Sequence, residues 1–432
     1  MSTFSPPLRL LWLAALVVIV TACGHQAKPV PTIEESAMRQ HYPDLFVEAG
    51  HSRAAVETKI AGAFQQLFYG DDEEERVYYP DGSNEQGALA YILDVNSEDV
   101  RSEGMSYGMM IAVQLNKKAE FDALWNWSLT HMYHDNPQHP AYGYFAWSVK
   151  TDGEAIDEMP APDGEEYFVT ALYFAAARWG NGEGIYHYSA YADRILKDTL
   201  HREAITGMTG RGEMTAINLF DKTAKMVRFT PDVVNAYHTD ASYHLPGFYE
   251  VWARVGPDGD RAFWREAAAV SRDYFVATAH PQTGLTPDYG NFDASPWAAS
   301  WRPESVDFRY DAWRSAMNWA MDWNWWRADP RQVELSRRIQ TFFLAEGLDD
   351  YQSLYTLDGK KLGGGQTTGL VAANAVASLA SDHPERLAFV EALWNQPIPS
   401  GRYRYYDGML YLMGLLHCSG DFKVWLPGIS SR

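Results

Sequence analysis

Cysteine is almost missing from this chain. Its 432 residues hold two, Cys23 and Cys418, too few for a disulfide framework. Histidines, cysteines and carboxylates show no compact metal-ligand spacing, so the sequence implies no metal and no cofactor. Positive charge is also short: 36 Lys and Arg stand against 56 Asp and Glu, a formal charge of −20. That balance argues against nucleic acid or an anionic polymer as partner. No Ser/Gly linker or low-complexity run follows the first 36 residues, so no second domain boundary is marked. What the chain has in surplus is aromatic, 14% of all residues, with 16 Trp and 26 Tyr. A core needs few Trp, because each indole N–H wants a partner. The excess points to exposed flat rings, for which the apolar C–H faces of sugars are natural partners.

The N-terminus reads as a targeting segment. Arg9 precedes the apolar run Leu10–Val20, too short for a comfortable membrane span and suited to a signal peptide. The ending Val20, Thr21, Ala22, Cys23 resembles a bacterial lipoprotein cleavage site. Residues 1–22 are therefore expected to be removed, with Cys23 the lipidated first residue and 23–40 a tether to a folded domain over 41–432. Gly24 after the cysteine favours the outer membrane of a bacterial envelope, with the lipid the only membrane contact. A plain signal peptide or an uncleaved anchor is the alternative.

Beyond the tether, apolar residues recur at helical spacing. Helices are expected over Arg53–Phe68, Glu103–Asn116, Ala119–Met132, Gly164–Trp179, Tyr188–Leu200 and Ser242–Val255. Six more follow over Asp260–Ala279, Asp311–Trp326, Arg331–Leu344, Gln366–Ala380, Glu385–Trp394 and Tyr406–Leu416. One stretch, Ala216–Val227, alternates around Asp221 and Lys222 and reads as a small β-hairpin insertion. An all-α chain of six consecutive helix pairs fits a closed toroid, six inner helices wrapped by six outer ones. A helical solenoid is the competing arrangement.

In a toroid the inner helices start at one face, so the loops before them converge on one cleft. Three acids hold such places: Glu103 at the second helix, Asp163 at the fourth and Asp311 at the eighth. Taken singly, each is a first-turn acid complementing a helix dipole, and Ser102 is an N-cap. Their recurrence beside Tyr107, Tyr167, Tyr310 and Trp313 favours a shared cleft. Two carboxylates across a cleft can hydrolyse a glycosidic bond, one protonated and one acting on the opposite face. Glu103 is the better acid, because Met105, Met109 and Met110 behind it promise a dry environment that disfavours ionisation. Arg314, one turn beyond Asp311, can hold that acid ionised as a base.

At these residues a family resemblance emerges. SEGMSYGMMIAVQLNKKAEFDALWNW (Ser102–Trp127), GYFAW (Gly143–Trp147), APDGEEYF (Ala161–Phe168), TDASYHLPGFYEVWA (Thr239–Ala253) and YDAWR (Tyr310–Arg314) resemble blocks of glycoside hydrolase family 8. TGLVAANAVASLAS (Thr368–Ser381) and YRYYDGMLYLMGLL (Tyr403–Leu416) continue the likeness, in the family's order, from about His41 to Pro427. The nearest branch is that of the reducing-end xylose-releasing oligoxylanases and related xylanases. The resemblance implies an (α/α)6 barrel and a glycosidase that inverts the anomeric carbon of xylan or xylo-oligosaccharides. It implies Glu103 as general acid, Asp311 as general base and Asp163 as the acid binding the sugar at the cleavage point. Tyr243 and Arg314 match the residues placing water and base, and Asp240 is the reserve base, with holding its own loop as the expected role. Trp147 and one of Trp125 or Trp127 are expected sugar platforms. Trp319, Trp323, Trp325 and Trp326 are assigned to packing, and His131, His238 and His244 to structure.

One departure bears on the mode of attack. Reducing-end oligoxylanases carry a Leu-His-Pro segment before the GLVAANA-like helix, where this chain reads GGGQTT (Gly363–Thr368). Without that wall the cleft is expected to stay open, giving an endo-acting monomeric xylanase. The alternatives are a reducing-end trimmer, a cellulase-like β-glucanase and a lipoprotein that only binds oligosaccharide.

Overall fold

The structure is a computed structural model and describes residues 1–2 and 42–427. Cys23, the signal segment and the tether lie outside the described residues. Among the described residues no helix is long and apolar enough to cross a membrane.

Among the described residues, a single helical turn at Leu45–Glu48 is followed by twelve longer helices. They are α1 (Arg53–Tyr69), α2 (Ser102–Gln114), α3 (Lys118–His131), α4 (Pro162–Trp179), α5 (Tyr188–His201) and α6 (Pro246–Val255). The second half adds α7 (Arg261–Thr278), α8 (Trp313–Trp326), α9 (Arg331–Glu346), α10 (Thr368–Ala377), α11 (Arg386–Asn395) and α12 (Arg404–Cys418). The even-numbered helices form a ring in which α2, α4, α6, α8, α10 and α12 each pack on the next, and α12 returns to α2. Each odd-numbered helix from α3 to α11 packs outside the even helix before it, and α1 packs against α12. The solenoid alternative is thereby excluded, and the fold is an (α/α)6 barrel.

The two rings follow from composition. In α2 every residue but Glu103 is buried, and in α10 every residue after Thr368 is. Helices apolar on all sides must be surrounded by others. The outer helix α5 buries only Tyr188, Ala192, Ile195, Leu196, Thr199 and Leu200, one stripe at helical spacing. Observed boundaries fall within a few residues of the periodicity reading, except at α6, where a 3-10 turn (Ala241–Tyr243) precedes a helix begun by Pro246. Proline suits a first helical position because it lacks an N–H that would find no partner there.

The β content exceeds expectation. A five-stranded antiparallel sheet runs from β1 (Tyr78–Asn84) through β2 (Gly87–Asp94), β3 (Asp99–Arg101) and β4 (Ser148–Val149) to β5 (Ala155–Asp157). A hairpin of β6 (Ile205–Thr209) and β7 (Gly212–Ala216) precedes the expected one, which is confined to β8 (Phe220–Asp221) and β9 (Met226–Val227). The β2–β3 turn, β5 and the β6–β7 hairpin all rim one groove.

Two glycines set the approach of the inner helices there. A Cβ on Gly104 would fall 2.6 Å from the Tyr405 ring of α12, and one on Gly164 would fall 2.6 Å from Ser102 Oγ. Such contacts essentially never occur, so glycine at these places lets the starts of α2, α4 and α12 close together.

Candidate active site

The groove at the barrel mouth encloses about 1180 Å³, and Glu103, Asp163 and Asp311 all line it. Their loops converge as a toroid requires. At its floor the Arg314 guanidinium, on the first turn of α8, is fully buried and serves all three acids. Nη1 shares its two N–H groups among Glu103 Oε2 (2.9 Å), Asp163 Oδ2 (2.7 Å) and the Tyr107 hydroxyl. Nη2 donates to Asp311 Oδ1 (3.0 Å) and Ser242 Oγ (2.8 Å). Arginine suits this task because its planar fork carries several donors in fixed directions.

One cation facing three carboxylates leaves surplus negative charge in a dry place. Burial pushes the Glu103 carboxyl up to about 7, Arg314 opposes the rise, and Asp163 and Asp311 add to it. Asp163 is raised by burial too, against the pull of Arg314. Tyr405 donates to Glu103 Oε1 at 3.0 Å, fixing the carboxyl that Gly104 allows it to reach. The expectation for Glu103 needs one correction. Met105, Met109 and Met110 are wholly buried, yet the polar groups meeting Glu103 are Arg314 and Tyr405, with Asp163 and Asp311 facing it. The capping alternative for Ser102 fails as well: Arg101 is the N-cap residue, and the buried Ser102 hydroxyl has no hydrogen-bond partner.

Other expected residues divide. Tyr243 lines the groove, its ring parallel to that of Phe229. Tyr107 is buried behind the groove and meets it through Arg314. Asp240 is buried and accepts from Ser242 N at 2.6 Å, so it holds its turn. Trp147 lines the groove with the Arg101 guanidinium over its ring. Trp125 is a correction: with Trp127 it lies wholly in the core, its indole N–H spent on the Ile185 carbonyl, so neither is a platform. Trp319, Trp325 and Trp326 are buried and Trp323 is packed on the core. His244, held between Thr239 and Ser271, is pushed down to about 3 by burial and is neutral.

Sequence reasoning missed two of the open rings of the groove, Trp301 and Tyr403, and named Tyr310 only as a neighbour of Asp311. Trp301 is 53% exposed, Tyr310 42% and Tyr403 65%, and all three line the groove. Exposed aromatic faces along a groove are what a chain of sugars stacks on. Sequence reasoning also missed Tyr405 and Asp288; the latter accepts hydrogen bonds from the backbone N–H groups of Asp311 (2.9 Å) and Ala312 (3.2 Å).

A barrel of this topology, with carboxylates gathered at the mouth beneath open aromatic rings, is the architecture of a glycosidase. Known proteins place it more narrowly. Residues 90–420 match the family Glycosyl hydrolases family 8. The reducing-end xylose-releasing exo-oligoxylanase Rex8A of Paenibacillus barcinonensis is 42% identical over 89% of this chain and 97% of its own length. A reducing end xylose-releasing exo-oligoxylanase of Halalkalibacterium halodurans is 40% identical over 92% of this chain and 97% of its own. The crystal structure of a GH8 catalytic mutant xylanase from Teredinibacter turnerae, in complex with xylohexaose, superposes with a TM-score of 0.90. It is 62% identical, over 91% of this chain and all of that one. The chain belongs to glycosyl hydrolase family 8.

Proposed function

We propose that the protein hydrolyses β-1,4-xylosidic bonds in xylo-oligosaccharides and xylan with inversion at the anomeric carbon. The observation that carries this reading is the single guanidinium of Arg314 shared by Glu103, Asp163 and Asp311. Glu103, protonated near neutrality, gives its proton to the leaving glycosidic oxygen as the C–O bond breaks. Asp311 takes a proton from a water that attacks the anomeric carbon from the opposite face, and Tyr243 and Arg314 hold that water and base. Asp163 binds the sugar at the cleavage point. Glu103 and Asp311 bond to different nitrogens of one guanidinium, and inversion requires their carboxyl groups to stand roughly 6.5–9.5 Å apart with the water between them. Xylose is the sugar assigned because relatives across nearly the whole chain bear xylan-degrading names. Anchoring at Cys23 stays part of this proposal, carried by the sequence alone.

For the mode of attack, the names of the curated relatives favour release of xylose from the reducing end over the endo action expected from the sequence. Endo action keeps one specific support. Gly364 lines the groove, Gly363 and Gly365 have open space where a Cβ would stand, and all three take positive φ. The three glycines themselves raise no side-chain wall. Xylohexaose labelled at its reducing end separates the two readings: labelled xylose alone at every time point means trimming, and labelled xylobiose or longer means internal cleavage. Proton NMR of the first products is expected to show α-anomers, and β-anomers would remove the inverting mechanism.

The open rings give a separate prediction. Trp301→Ala is expected to raise KM for xylohexaose about tenfold and leave kcat within about threefold, since an exposed platform binds ground and transition states alike. Steady-state kinetics on xylohexaose checks it.

A further inference from the structure

Asp311 stands in irregular chain just before α8, where its backbone N–H has no helical acceptor. Its side chain is tied to Arg314 through one oxygen. The backbone that carries it is held from another segment altogether. Asp288 Oδ1 accepts from Asp311 N at 2.9 Å and from Ala312 N at 3.2 Å. The two segments are also laced by their main chains, Asp288 N donating to Asp307 O and Tyr289 N to Ser305 O. Asp288 is wholly buried, and its Oδ2 has no hydrogen-bond partner. The nearest cation is Arg302, whose Nη2 stands 3.7 Å from Oδ2 and whose Nη1 donates to the Tyr289 hydroxyl. A buried carboxylate with an unbonded oxygen is costly, and burial and Asp311 push it up to about 7 against the pull of Arg302. Packing alone gives no reason to keep an acid there.

We propose that Asp288 is a positioning residue for the base: its carboxylate, steadied by Arg302, fixes the Asp311–Ala312 backbone and so aims the Asp311 carboxylate at the attacking water. The inference rests on Asp311 acting as the general base. Misplacing a reacting group by about 1 Å costs roughly 100-fold in rate. Asp288→Ala is therefore expected to lower kcat on xylohexaose about 100-fold, with KM within about threefold. Asp288→Asn keeps an Oδ1 acceptor for both N–H groups and is expected to restore kcat to within about tenfold of wild type.

Azide gives the readout that a general packing role would not move. As an anion it attacks the anomeric carbon without surrendering a proton, while Glu103 still protonates the departing oxygen, so it needs no base. Sodium azide is expected to stimulate Asp288→Ala and Asp311→Ala alike, with glycosyl azide as product, and to leave wild type unchanged. Should Asp288→Ala not fold, Arg302→Met tests the same link from the other side, with an expected five- to tenfold loss of kcat that azide recovers. Rescue of Asp311→Ala but of neither Asp288→Ala nor Arg302→Met would overturn the positioning role and leave the base standing. A folded Asp288→Ala with kcat within threefold of wild type, or Asp288→Asn as poor as Ala, overturns it too. An Asp311→Ala variant with wild-type turnover would instead remove the proposed function beneath it.

Discussion

Glu103→Gln is expected to lower kcat on xylo-oligosaccharides by a factor of about 100–10,000, the range a positioned general acid supplies. Glutamine keeps the shape of the side chain and an oxygen for Arg314 or Tyr405, so KM should change little. The pH dependence offers a sharper reading. In the proposed role Glu103 works while protonated, and its carboxyl is pushed up to about 7 by burial. Activity should therefore hold on the acid side of that value and fall as pH rises through it. In the residual activity of Glu103→Gln that alkaline fall should vanish, because the group that titrates is gone. Turnover measured from pH 5 to 9 on both proteins checks it. A variant with half the wild-type rate, or one with the same alkaline fall, would exclude Glu103 as the acid.

Arg314→Met is expected to cost both turnover and stability. The guanidinium is buried and bonded to acids on α2 and α4 as well as to Asp311. Removing one side of a buried ion pair typically costs about 3–5 kcal/mol, since the remaining charge is left unpaired. Turnover should fall at least as far as in Glu103→Gln, because the carboxylates proposed as acid, base and sugar holder lose their common anchor. The stability loss should depend on pH. Glu103 and Asp163 already lie above their usual range in the native protein, so their contribution favours folding at acid pH and is lost as pH rises through the folded values. Without Arg314 both rise further. The deficit in Tm should be smaller at pH 4.5 than at pH 7.5, because Glu103, pushed up to about 7 by burial, holds its proton at the lower value and has less need of the cation there. Melting curves of both proteins at the two pH values test this. A deficit that is the same at both, or greater at the lower, would mean that Arg314 does not carry the charge of these acids.

The helices were legible because their signal is local: an apolar period of 3.6 survives whatever the helix packs on. Ring closure was not legible, since it rests on α12 meeting α2, and no spacing records which distant faces touch. The five-stranded sheet escaped for a different reason. Its strands β3, β4 and β5 have two or three residues each, below the length at which alternation can be counted. In the site, the acids could be found because they open inner helices, a place periodicity marks. Asp288 could not, standing in irregular chain and acting through backbone groups 23 residues away. Trp125 and Trp301 show the same limit for aromatics. One is sealed in the core on α3 and the other stands open in a loop, and composition gives both the same letter.

The bond between Tyr405 and Glu103 joins residues 302 apart, the start of the second helix and the start of the last. Bringing such distant points together costs loop entropy, which only the completed wall of neighbouring helices can offset. Chain emerging from the ribosome carries Glu103 early, but the hydroxyl that orients it arrives after most of the polypeptide. A nascent or truncated chain ending before α12 holds Glu103, Asp311 and Arg314 without the Tyr405 contact that fixes the Glu103 carboxyl. The full set of contacts around Glu103 thus exists only once synthesis has delivered the final helix and the first and last parts of the chain have met.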